Sequence, residues 1–67
     1  MKKIKIIIDV FETEDGYNIY RITDTSGNPA NFCLNGGWVY YSDNVDNEIE
    51  NARNDYDIQI VEDYRPE

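Results

Sequence analysis

Histidine is absent from this 67-residue chain, which removes the commonest general base and the commonest metal ligand at neutral pH. Cysteine occurs once, as Cys33. No intramolecular disulfide and no cysteine metal cluster can therefore form, and a reducing cytoplasm suits the chain. Basic residues are scarce, six against 14 acidic, for a net charge of −8. Such a field repels nucleic acid and membrane surfaces and attracts basic proteins. Long apolar runs are missing too. Lys2, Lys3 and Lys5 flank or precede Ile6, Ile7 and Ile8, but Asp9 cuts that run far below the length of a secretory leader, and nothing approaches a transmembrane span.

Motifs that carry chemistry are also lacking. Gly36 and Gly37 form a pair rather than a loop leading with a Lys into a helix, so no phosphate cradle is expected. The run Asp43, Asn44, Val45, Asp46, Asn47, Glu48 has no Gly at the sixth position of a calcium loop, and residues 24–28 lack a closing bidentate Glu. Cys33, within an apolar segment, reads as a packed small hydrophobe. Ser26 and Ser42 have no base nearby and serve as turn and cap. Glu62 and Asp63 are adjacent, so on a strand their carboxylates diverge. The expectation is a non-enzymatic protein with no cofactor and no metal.

Six Tyr, two Phe and one Trp, in a chain that is 40% hydrophobic, argue for an ordered fold. The length suits a single domain over residues 1–67, near the lower size at which a core sustains itself, with a flexible tail from about residue 63. Residues 3–13 alternate, with Ile4, Ile6, Ile8 and Val10 on one side and Lys3, Lys5, Ile7, Asp9 and Phe11 on the other, which predicts a strand. Glu14, Asp15 and Gly16 supply a hairpin turn into a second strand at 17–23. Turn formers fill 24–29. A third strand is expected at 30–34 and a fourth at 38–41, or one kinked strand with Gly36 and Gly37 as a bulge.

Residues 42–57 read as a helix started by Ser42 or Asp43, with Val45, Ile49, Ala52 and Tyr56 on one face. A last strand is expected at 58–61. The fold class is thus α+β: an antiparallel sheet of four to five strands with one helix on one face, in the order β-β-β(-β)-α-β. Ile4, Ile6, Ile8, Val10, Ile58 and Ile60 are expected under the helix. Ile7, Phe11 and some of Tyr17, Tyr20, Trp38 and Tyr40 then lie on the uncovered face.

The acidity is uneven. Residues 1–42 hold five acids and four bases, whereas residues 43–67 hold nine acids and two bases. The candidate partner surface is therefore Asp43, Asp46, Glu50, Asp55, Asp57, Glu62 and Asp63. Carboxylates at helical i,i+4 spacing, ~5–6 Å apart, suit a basic groove shaped for DNA phosphates, and nearby Asn side chains add the donors and acceptors of base edges. A second candidate interface is the aromatic set Phe11, Trp38 and Tyr40, which suits a homodimer or an adaptor module.

In size, acidity, lack of cofactor motifs and Ile/Lys/Asn-rich bias, the whole chain resembles the small acidic inhibitors of phages and mobile elements, such as anti-CRISPR and anti-restriction proteins that imitate DNA. The resemblance implies a stoichiometric inhibitor in the cytoplasm of a bacterial host. Its partner would be a defence protein with a nucleic-acid-binding groove.

Overall fold

The computed structural model describes residues 1–66. Four strands and one helix follow in the order β1 (Lys2–Glu12), β2 (Asn18–Asp24), β3 (Trp38–Val39), α1 (Ser42–Ala52) and β4 (Tyr56–Asp63), with a short 3-10 turn at Asn35–Gly37 before β3. The class is α+β, and the strands lie in the spatial order β3-β2-β1-β4. β1 and β2 form the expected antiparallel hairpin, with Ile8 opposite Ile22 and Asp9 opposite Arg21. Its turn is closed by Thr13, whose amide donates to the Tyr17 carbonyl at 2.7 Å and whose hydroxyl accepts from the Tyr17 amide at 3.1 Å. Gly16 takes the positive φ of 84° that the turn requires.

The sheet is mixed, not antiparallel, because β4 runs parallel to β1. The reason is one of direction. β3 is antiparallel to β2 and so runs with β1; α1 reverses the chain once, and the next strand must return along β1. The third strand expected at 30–34 is absent. Pro29 makes only an isolated bridge with Thr23, the Cys33 amide closes a turn on the Ala30 carbonyl at 3.0 Å, and only two residues further on pair as β3.

Helix α1 is shorter than expected. It ends at Ala52, and Tyr56 and Asp57 open β4 instead. At its end the Asn51 carbonyl accepts from both the backbone amide of Asn54, at 3.3 Å, and the Asn54 side chain, at 3.1 Å. Tyr41 occupies the N-cap with no side-chain cap, its carbonyl accepting from Asn44 and Val45, so neither Ser42 nor Asp43 caps.

One face of the sheet carries the core. Ile6, Ile8, Ile22 and Val45 are fully enclosed, with Ile4, Ile49, Ala52, Ile58, Tyr20, Val39 and Ala30 around them. Val10 and Tyr56 pack at its margin, joined by Phe32 and Cys33 from the loop before β3. Ile60 departs from expectation at 37% exposure: it pairs with Ile6 but stands on an edge strand. Tyr20, expected among the candidates for the open face, is buried in the core.

Candidate acidic interaction surface

On α1 the buried residues Val45, Ile49 and Ala52 define the inner side. Asp43, Asp46 and Glu50 follow one another at spacings of three and four, so they form a single row on the outer side, ~5–6 Å between successive Cβ atoms. All three are exposed, and the helix contains no basic residue. Asp43, in the first turn, also lies at the positive end of the helix dipole.

Two arginines trim this row from the β4 side. Arg65 Nη1 donates to Asp46 Oδ1 at 2.9 Å, to Ser42 Oγ at 3.2 Å and to the Ser42 carbonyl at 3.3 Å. Its Nη2 donates to Asp63 Oδ2 at 2.8 Å, and its Nε to Asp63 Oδ1 at 3.0 Å. These hydrogen bonds lower the Asp63 pKa, against a smaller opposing effect of burial, and in return strengthen the hold of Arg65 on its proton. Arg53 lies 3.4 Å from Glu50 and donates to the Ile58 carbonyl at 3.0 Å, covering part of the β4 edge. Glu67, the last residue of the expected tail, lies outside the described residues.

The seven acids of the expected surface thus divide. Asp43, Asp46 and Glu50 share the helix row, Asp55 stands in the turn beyond it, and Asp63 joins through Arg65. Asp57 and Glu62 do not. Asp57 pairs with Lys3 and Glu62 with Ile7, residues of the face opposite the helix; a bulge between Ile6 and Ile7 shifts the alternation by one and so puts Glu62 on that face and Asp63 on the helix side. Asp57 reaches that face because the helix expected to run to residue 57 ends at Ala52 and β4 opens at Tyr56.

Across the sheet, Phe11 and Trp38 meet with ring centroids 5.2 Å apart, and the Arg21 guanidinium lies 5.3 Å from the Trp38 ring centroid. Tyr40 does not join that pair. It lines an open groove of about 770 Å³ with Tyr17, Tyr41, Thr13 and Ser42, beside the hairpin turn. Sequence reasoning missed Arg21, whose position opposite Asp9 and next to Trp38 follows only from the register.

Cys33 sits half-buried in the loop before β3, beside Glu48. Burial, aided by the Glu48 carboxylate, pushes its thiol up to about 12, which suits a packing role and opposes a nucleophilic one. Among the described residues, no group of three or more Cys, Asp and Glu is placed to hold a metal ion, and no helix is long and apolar enough to cross a membrane. No family model, curated protein or solved structure matches the chain.

Proposed function

We propose that this protein is a non-enzymatic inhibitor of the bacterial cytoplasm that binds a nucleic-acid-binding defence protein and occupies its basic groove as a decoy for DNA. The observation that carries this reading is the outer row of α1: Asp43, Asp46 and Glu50 in line on a helix without a basic residue. An 11-residue helix is ~16 Å long, enough to lay such a row along several phosphate positions of one DNA strand. The carboxylates are held by a rigid element packed through Val45 and Ile49, so binding costs little ordering of the chain.

The division of the acids makes the test specific. The variant Asp43→Asn, Asp46→Asn, Glu50→Gln removes three charges from the helix row and keeps its shape, whereas Asp57→Asn, Glu62→Gln removes two from the opposite face. Partners captured from a bacterial lysate on the parent protein at low salt, identified and purified, are then titrated with both variants. The helix variant is expected to bind at least ~10-fold more weakly with a shallower salt dependence, while the sheet variant stays near the parent. Excess duplex DNA is expected to displace the parent from its partner. Equal weakening by both variants, or simultaneous binding of DNA and protein, overturns the reading.

A further inference from the structure

The face of the sheet turned away from α1 differs in charge from the rest of the molecule. Alternation along the strands and the pairing register place Lys3, Lys5 and Arg21 on it together with Asp9, Asp57 and Glu62. Three positive and three negative charges cancel, so the net negative charge of the described residues resides on the other surfaces. Two copies of this chain that approach through the helix side, where Asp43, Asp46 and Glu50 stand exposed in one row, meet like charge against like. On this face they do not.

The same face carries exposed apolar groups. Phe11 is 44% and Trp38 36% exposed, and Ile7 and Ile19 are only half-covered. Arg21 lies among them, its guanidinium over the Trp38 ring at 5.3 Å from the centroid and donating from Nε to the Gly36 carbonyl at 3.3 Å. An anchored guanidinium beside a tryptophan is the composition of an interface centre rather than of a solvated rim.

We propose that a second copy of this chain covers this face, the two sheets stacking about a two-fold axis that runs along the strands between β1 and β2. The register decides the axis. Asp9 lies opposite Arg21, and Phe11 opposite Ile19, across the two strands; rotation about a line between those strands exchanges the members of each pair. Asp9 of each copy then stands over Arg21 of the other, and Phe11 over Ile19, with no like charges superposed among these four. Stacked sheets lie ~10 Å apart with strand directions within ~30°, a separation that these side chains fill. Strand spacing and rise give a contact on the order of 500 Å² per copy, the size of a weak, concentration-dependent interface. The inference is independent of the role given to α1, since the acidic row points away from the contact.

Sedimentation equilibrium of the full chain tests it, with the emission of Trp38 as a second reading on dilution. The parent is expected to form dimers in the micromolar range, with Trp38 emission shifting to the red as they dissociate. Asp9→Arg and Arg21→Asp are each expected to weaken self-association at least ~10-fold. Mixed in equal amounts, they are expected to associate with each other, because each then offers the charge that the other lacks. This complementation between chains has no source within one chain. Should either variant fail to fold, Phe11→Ser, on an exposed position, carries the same decision: it is expected to weaken the dimer while far-UV circular dichroism stays that of the parent. A parent protein that remains monomeric at ~100 µM, or association unchanged in the folded variants, overturns the proposal.

Discussion

Arg65 joins the end of the last strand to the first turn of the helix, and it does so through carboxylates on both sides. Its bonds to Asp63 and Asp46 draw the chain after β4 back onto the body, where the Tyr64 amide also donates to the Ile8 carbonyl at 3.0 Å. Arg65→Ala removes the side-chain bonds and leaves the 3.0 Å bond from the residue 65 amide to Asp63 Oδ1. At neutral pH it is expected to cost about 1 kcal/mol, the value of charge-assisted bonds at a partly exposed site. The pH dependence has a definite sign. Asp63 titrates lower in the folded chain than its ordinary 3.8, so the stability it contributes is complete above that value and is lost as pH falls through the lower, folded one. The gap between parent and variant should therefore narrow when urea unfolding is repeated at ~pH 3. A gap equally wide at both pH values would mean that Arg65 acts through packing of its stem instead of charge.

At the scale of elements, the direction of β4 depends on whether residues 30–41 make one strand or two. With three strands before the helix, the chain leaves β3 along β1, returns through α1, and enters β4 parallel to β1. A fourth strand before the helix would have reversed that outcome. The hairpin was legible because Ile4, Ile6, Ile8 and Val10 alternate without interruption and Gly16 marks the turn. Residues 30–34 were not, since Ala30, Phe32 and Cys33 are apolar for a different reason: from a loop, Ala30 enters the core and Phe32 and Cys33 pack at its margin. Tyr56 misled in a similar way, completing a helical spacing while packing its ring 6.3 Å from that of Phe32 at the start of a strand.

Gly37 holds that loop against the sheet, and it gives the element-level prediction. Its φ is +86°, and a Cβ there would stand 2.5 Å from the Ile22 carbonyl oxygen. Gly16 has a similar φ of +84° with nothing within 4 Å. Gly16→Ala therefore bears only the backbone cost, about 1 kcal/mol, whereas Gly37→Ala must also displace backbone of β2, for about 3 kcal/mol in total. Urea midpoints of the two variants make the comparison. Equal losses would show that the loop moves freely away from Ile22 and that β3 is not pinned by close approach.

For the molecule as a whole, charge is sorted by face: a balanced sheet surface on one side and an acidic helix row on the other. The concentration of acid after residue 42 was readable from the sequence. Its partition was not, because Asp57 and Glu62 change sides with the helix end and the β4 bulge, features that composition does not record. The sorting has a consequence for stability. Asp43–Asp46 and Asp46–Glu50 are like-charge neighbours at i,i+3 and i,i+4, each worth a few tenths of a kcal/mol of repulsion, ~0.2–0.5, and the field of the other acids adds to them. Salt that shortens the screening length from ~20 Å to ~5 Å weakens such repulsion, while the short Arg65 contacts are screened less. Raising sodium chloride from ~20 mM to ~0.5 M should therefore stabilise the fold by about 1 kcal/mol. The measurement belongs at low protein concentration, ~1 µM, where self-association contributes little through mass action. Asp43→Asn with Glu50→Gln should flatten the response, because the repulsion it relieves is what salt otherwise screens, while at low salt that relief is offset by loss of the Asp43 charge at the helix N-terminus and of the Glu50–Arg53 pair. If salt destabilises the parent, ion pairs such as Arg65–Asp46 outweigh the repulsion, and the helix row is then better described as a structural network than as a free anionic surface.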